Sequence, residues 1–257
     1  MACTTPTVDQ AAKAKEAAQA AGEVLRNSYE SKTEALSTSG RDIKTQADLD
    51  AHKLITSMLA DTEIPIISEE SETHLANPTT DTCWIIDPLD GTVNFFRGSR
   101  LCCTSIGLWS EGRPVFGIVY DFLGNELWSG GIHSQTTCND IPVVVSGINR
   151  SDEAIIATGF PNGRDFEEGP LKRFLSCIQS FRKVRLLGSA ALSLAWLAQG
   201  RIDAYSEEDI YLWDIAAGLP IVLGAGGCTE FSSIDLETMK LNVCATGSAE
   251  LLKELKC

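Results

Sequence analysis

The chain has 257 residues, 44% of them hydrophobic and 22% charged, with a formal net charge of −14 and a pI near 4.6. A chain of this length can close one large core or two smaller ones, and no stretch reaches the roughly 18 consecutive apolar residues of a membrane span. So acidic a balance argues against nucleic-acid polymers and membranes as partners, because both present anionic surfaces that call for basic side chains.

Most of the excess acid reads as solvated surface. An acidic protein can still handle anionic phosphates where carboxylates collect divalent cations, which then become the local positive charge. The start, Met1-Ala2-Cys3-Thr4-Thr5-Pro6, has no basic segment followed by an apolar run, so no signal peptide is expected. Cys257 is terminal, not fourth from the end as in a prenylation box. The expected location is cytoplasmic. The nine cysteines form no C-x-x-C pair and read as free thiols used as small apolar residues in a reducing compartment.

In chain order, Ala14, Ala17, Ala18, Ala21 and Leu25 recur at helical spacing and predict an amphipathic helix over 9–29. The Ser-, Thr- and Gly-rich segment 30–41 reads as a loop. A second helix over 47–59 would bury Ala51, Leu54, Ile55, Met58 and Leu59. Ile64 to Ile67 predicts a short strand delivering Ser68-Glu69-Glu70, and Cys83 to Ile86 predicts another ending at Asp87. Segments 104–109, 115–120 and 126–129, separated by Glu111-Gly112-Arg113-Pro114 and Gly124-Asn125, predict an antiparallel meander. Beyond Asp140, strands near 154–157, 184–187 and 202–205 alternate with helices near 168–181, 189–199 and 213–224, the pattern of α/β layering. The expected division is an N-terminal α+β domain over 1–142 and a C-terminal α/β domain over 143–257.

The segment Trp84-Ile85-Ile86-Asp87-Pro88-Leu89-Asp90-Gly91-Thr92-Val93-Asn94-Phe95 carries the sharpest chemical signal. A buried strand runs into two carboxylates three residues apart, with Pro88 stiffening a turn and Gly91 permitting close backbone approach. Carboxylates so spaced can share one cation or bridge two. The N–H groups of Gly91 and Thr92, if they open a helix, would face an anion. An isolated turn of this kind serves equally well to cap a helix. Two further acidic sites favour the metal reading: Glu69-Glu70, like charges held together at a strand end, and Asp214, which begins an otherwise apolar helix and would alone be read as its cap.

These stretches together, Glu69-Glu70-Ser71, the segment from Trp84 to Phe95, and Trp213-Asp214-Ile215-Ala216-Ala217-Gly218, resemble the signatures of the inositol monophosphatase superfamily. Thr45-Gln46-Ala47-Asp48 and Gly188-Ser189-Ala190-Ala191, followed by Ala204-Tyr205-Ser206-Glu207, agree with them. The resemblance implies an alternating αβαβα sandwich and Mg²⁺-dependent, Li⁺-sensitive hydrolysis of a small phosphate monoester. It places a first metal on Glu69, Asp87 and the carbonyl of Leu89, and a second on Asp87, Asp90 and Asp214, with a third Mg²⁺ beside Glu69 in some relatives. Hard oxygen ligands suit Mg²⁺. Thr92 and Asp48, with Glu69, match the groups that orient and activate the attacking water. Asp90, Gly91, Thr92, Ala190 and Glu207 match positions that bind substrate; for Ala190 and Glu207, plain packing and a solvated charge explain the residues equally well. Homodimers are common among such proteins.

Some positions depart from the inositol branch. His52 stands four residues after Asp48 where many inositol-specific members have Glu, which leans toward the bisphosphate nucleotidases. Thr92-Val93-Asn94-Phe95 leans back toward inositol. No Lys in 30–41 is matched to the one relatives keep near the third metal. The expected substrate is inositol monophosphate, with 3′-phosphoadenosine 5′-phosphate as the alternative and sugar bisphosphates also open. A non-catalytic phosphate or metal sensor on the same fold is the reading from another class. His52, His74 and His133 lie outside the motif cluster, which speaks against a Ser/His/Asp hydrolase. Gly224-Ala225-Gly226-Gly227 lacks the following Lys-Ser/Thr of a P-loop and reads as a helix end entering a strand.

Overall fold

The alanine stripe folds as predicted, into α1 (Val8–Ser31), whose buried side is Ala14, Ala17, Ala18, Ala21 and Leu25. The structure, a computed structural model, describes residues 5–31, 35–39, 42–71, 73, 75–160 and 168–255. After α1, the stretch read as a loop contains a strand. β1 (Ala35–Ser39) pairs antiparallel with β2 (Asp42–Thr45). Thr45 then caps α2 (Gln46–Leu59) in a capping box with Asp48, a local reciprocal hydrogen bonding that satisfies two otherwise orphaned N–H groups.

Helices α1 and α2 cover one face of a seven-stranded sheet. Its strands run in spatial order from β3 (Ile66–Ser68) and β4 (Thr82–Asp90) through β5 (Cys103–Ser110), β6 (Arg113–Asp121), β7 (Glu126–Gly131) and β8 (Ser134–Cys138) to β9 (Ile141–Pro142). Only the β3–β4 pair is parallel; the rest form the expected meander. Period-two alternation sorts β4 cleanly. Trp84 and Ile86 face α1 and α2, whereas Cys83 and Ile85 face the interior shared with the second half of the chain.

The second sheet has five strands in the order β11 (Lys183–Arg185), β10 (Ile155–Thr158), β12 (Ala204–Tyr211), β14 (Lys240–Thr246), β13 (Cys228–Phe231). It is mixed: β10 pairs parallel with β11 and β12, and β14 pairs antiparallel with β12 and β13. Between the two sheets lie α5 (Ala190–Ala198), α6 (Leu212–Ile215) and α7 (Gly218–Gly224), buried in one apolar cluster that takes side chains from both. On the far face, α4 (Glu168–Gln179) and α8 (Ala249–Glu254) pack through Cys177, Leu251 and the adjoining Leu255 against Ile156 and Ala204. The layers therefore alternate αβαβα.

Two further expectations need correcting. The helix predicted over 213–224 is two helices, α6 and α7. Pro220 has no N–H to donate to the carbonyl of Ala216, so the ladder breaks there, and Trp109 Nε1 on β5 donates to that carbonyl instead, at 2.9 Å. Cysteine usage also differs: Cys177 is disulfide-bonded, while Cys83, Cys102, Cys103, Cys138, Cys228 and Cys244 are free. Among the described residues, no helix is long and apolar enough to cross a membrane.

Candidate metal centre and active-site cleft

The Asp87–Asp90 pair is set on a β-bulge. The two stand three positions apart on β4, but their partners Ser105 and Cys103 stand only two apart on β5. In a regular strand, side chains three apart point to opposite faces; one extra residue restores the alternation and turns both carboxylates to the same side. The turn expected at Pro88 is thus a bulge continuous with the strand, tied down by Thr104 Oγ1 donating to the Pro88 carbonyl at 3.0 Å. Gly91 then leaves the strand at φ +87°, where a Cβ would lie 2.7 Å from the Leu101 carbonyl oxygen, and opens the short helix α3 (Thr92–Phe96).

Asp214 arrives from the second half of the chain in the first turn of α6. One carboxylate oxygen from each of Asp87, Asp90 and Asp214 lies within 4.8 Å of the others. Asp214 also accepts the Tyr211 N–H, so its capping role and its place in the cluster coexist. Glu69 follows β3, its N–H donating to Ile86 O at 3.3 Å, and its carboxyl hydrogen-bonds that of Asp87. Part of Glu69 is exposed, but its acid end reaches inward: burial, with the charges of Glu70, Asp48 and Asp90, pushes it up to about 7.

Burial also drives Asp87 and Asp214 well above the ordinary carboxylate range, with neighbouring acids adding to the effect. Asp90 is raised only to about 6, because hydrogen bonds from Ser189, Ala191, Ala190 and Cys103 oppose its burial. Those bonds are specific. Asp90 Oδ2 accepts from Ser189 Oγ at 2.6 Å and from the Ala191 N–H at 2.7 Å, at the opening of α5. A carboxylate here is stabilised by the positive end of the helix, and the two halves of the chain are pinned together at the site.

Asp48 and Thr92, 44 positions apart, meet as expected: Thr92 Oγ1 lies 3.2 Å from Asp48 Oδ1 and 2.9 Å from the Leu89 carbonyl. The other Asp48 oxygen is held by the Thr45 N–H at 2.7 Å and by the Thr45 hydroxyl. Burial raises the Asp48 carboxyl, against the lowering effect of these bonds. His52 faces Ser68 Oγ at 2.9 Å, one residue before Glu69. Lys32, the one lysine of 30–41 and unmatched to the relatives' lysine, lies outside the described residues.

Of the residues the sequence singles out, Glu69, Asp87, Leu89, Asp90, Gly91, Thr92, Glu207 and Asp214 line a cleft of about 250 Å³; Asp48 and Ala190 do not. Ala190 is buried beside it, lining an adjoining hollow that shares Asp90, Glu207 and Asp214 with the cleft. The sequence reading missed Phe160, Asp209, Tyr211 and Lys240, which form the outer wall. Lys240 Nζ sits 4.8 Å above the Tyr211 ring and 3.7 Å from Asp209. Ser189 was also missed as an anchor, although a Ser immediately before an apolar helical run is a readable N-cap signal.

The donor set suits a hard divalent cation. It offers only oxygen, burial and then mutual repulsion raise its carboxyls, and Lys240 is the sole basic side chain among the described residues lining the cleft. Ser105 Oγ, fully buried and paired across from Asp87, has no hydrogen-bond partner among the described residues.

The profile of the Inositol monophosphatase family matches residues 7–253. The chain belongs to the inositol monophosphatase family. It is 34% identical over 236 residues to an inositol-1-monophosphatase of Synechocystis sp., covering 89% of this chain and 82% of that protein. It is 35% identical over 217 residues to a protein of Pasteurella multocida named Nus factor SuhB, covering 82% and 80%. Among solved structures, the extragenic suppressor protein suhB of Bartonella henselae superposes with a TM-score of 0.82 at 30% identity, covering 96% of this chain and 97% of that one. Membership in this family makes the chain a phosphoric monoester hydrolase.

Proposed function

We propose that the chain hydrolyses inositol monophosphate with Mg²⁺. The observation that carries this reading is the convergence of Glu69, Asp87, Asp90 and Asp214 on one cleft beside the Thr92–Asp48 pair. Asp87, Asp90 and Asp214, together with Glu69 and the Leu89 carbonyl, would hold two Mg²⁺. When bound, the cations supply charge neutralisation for the phosphate and acidify water. The chain's own groups do the rest. The N–H groups of Gly91 and Thr92 face phosphate oxygens as charge builds on them. Thr92, its proton left to Asp48 when the Leu89 carbonyl serves a cation, offers a lone pair that orients the attacking water. Glu207 accepts hydroxyls of the polyol.

A complete set of carboxylates with a water-orienting pair favours catalysis over a sensor role. The bisphosphate nucleotide reading has one observation behind it: Lys240, held over Tyr211 at the outer wall, is a cation placed where a second phosphate could rest. Phosphate release from inositol 1-phosphate, 3′-phosphoadenosine 5′-phosphate, fructose 1,6-bisphosphate and glycerol 2-phosphate tests both. Inositol 1-phosphate should lead, turnover should vanish in EDTA, and Asp90→Asn should lower it on the order of 10³-fold or more. Full activity in metal-free protein, or a clear lead for the nucleotide, would sink the proposal.

A further inference from the structure

We infer that Tyr205 is a positioning residue for polyol recognition, acting through Glu207 and helped by the missing side chain at Gly159; this rests on the function proposed above. Tyr205 and Glu207 lie two apart on β12 and so share a face of the strand. The Tyr205 hydroxyl donates to Glu207 Oε2 at 2.7 Å. Tyr205 itself is 1% exposed and is packed in the core between the sheets, so its hydroxyl is set by a ring that cannot swing. Burial and the Glu207 charge hold the phenol far above its ordinary titration range, which makes it a donor at every working pH.

The second support is steric. A Cβ at Gly159 would lie 2.2 Å from Glu207 Oε1 and 2.5 Å from Oε2. The carboxylate therefore occupies the space a side chain would fill, against the backbone that follows β10. It is thus fixed from two sides, by a hydrogen bond from the core and by contact with Gly159. Glu207 borders both the main cleft and the adjoining hollow, next to Asp90 and Asp214. A carboxylate held this way meets a substrate hydroxyl without first losing side-chain freedom, which is how preorganisation gains affinity and selectivity. The ligand chemistry it selects is a hydroxyl-rich alcohol; a phosphomonoester lacking ring hydroxyls gains little from it.

Two variants perturb Glu207 from opposite sides. Tyr205→Phe removes the hydroxyl and keeps the ring. Gly159→Ala pushes on the far end of the Glu207 side chain rather than on backbone, so the fold can absorb it while the carboxylate moves. Steady-state kinetics on inositol 1-phosphate and glycerol 2-phosphate in Mg²⁺ give a selectivity ratio of kcat/KM. Both variants should lower that ratio about tenfold, through KM for inositol 1-phosphate, the scale set by a hydrogen bond to a charged group. Calorimetric binding of the methylenephosphonate analogue of inositol 1-phosphate should weaken to the same degree. An unchanged ratio with unchanged analogue binding, or an equal loss on both substrates with a lower Tm, would overturn the positioning role and leave Tyr205 merely structural. If wild-type protein releases phosphate from none of the panel, the proposed function fails; if it does so with selectivity indifferent to both variants, only this inference does.

Discussion

The Thr92 hydroxyl has one proton and two acceptors in reach, the Leu89 carbonyl and Asp48 Oδ1. Should the Leu89 carbonyl serve a cation, the proton is left to Asp48, whose other oxygen Thr45 already holds. Thr92→Ala and Asp48→Asn are each expected to lower kcat by roughly 10²–10⁴-fold with KM little changed. Because the two act as one unit, the double variant should be little worse than either single one. Additive losses in steady-state kinetics would show that they work separately. Asp214 poses a similar choice, since it accepts the Tyr211 N–H as a cap would. A cap alone predicts that Asp214→Asn costs about 1 kcal/mol or less and spares turnover. The cluster with Asp87 and Asp90 predicts the reverse: turnover collapses while the metal-free protein melts higher, one buried charge having been relieved. Near-wild-type turnover in that variant would remove Asp214 from the site.

At the scale of elements, the site depends on how closely α6 and α7 approach the first sheet. A Cβ at Gly107 on β5 would lie 2.5 Å from the carbonyl carbon and oxygen of Ala216, and one at Gly117 on β6 would lie 2.0 Å from the Ala217 oxygen. These contacts are backbone against backbone, so neither partner can yield without moving the α6–α7 corner. Gly107→Ala should therefore cost about 1–3 kcal/mol by overpacking. It should also weaken Mg²⁺ binding, because the displaced corner carries Asp214. Thermal melts with and without Mg²⁺ separate the two effects: the variant's Tm should be lower in EDTA, and its gain on adding Mg²⁺ smaller than that of wild type. An undiminished gain would mean that α6 keeps its place. The break between α6 and α7 belongs to the same geometry, since Pro220 frees the Ala216 carbonyl that Trp109 then holds.

For the whole molecule, the buried acids make stability depend on pH and metal together. Glu69 at about 7 and Asp90 at about 6 both lie above their ordinary values near 4. Between those limits the metal-free native state binds more protons than the unfolded chain. By linkage its stability is then greatest below about pH 4.5 with respect to these groups, and is lost as pH rises through 6 and 7. Metal-free protein is expected to melt progressively lower from pH 5 to pH 7.5. Mg²⁺ should reverse that trend, adding about 2.7 kcal/mol at a hundredfold excess over its Kd, and more at pH 7.5 than at pH 5, where protons compete for the ligands. A flat or rising Tm across this range in EDTA would contradict the assignment of these carboxyls to a repelling cluster.

What the sequence determined by itself was whatever short-range physics encodes. Short uninterrupted apolar runs marked the strands that end near Glu69 and carry Asp87, helical spacing marked α1 and α2, and turn residues marked the meander. The carboxylates were legible because acids at the ends of apolar elements stand out locally, and the family signature tied them together. Less was visible where alternation is weak or local rules mislead. The strands β1, β8 and β13 carry little apolar patterning; β14 does alternate, through Leu241, Val243 and Ala245, but was not read as a strand, and Lys240 at its start was missed with it. The odd spacing of Asp87 and Asp90 looks like a turn until the β5 register shows the bulge. Only the tertiary structure decided which oxygen of Asp90 is taken by Ser189 and Ala191, that Tyr205 holds Glu207 against Gly159, and that Trp109 seals the corner beneath Asp214. Those are choices among partners up to about a hundred residues apart, made by packing two sheets on a shared helical layer, and no local pattern of side chains contains them.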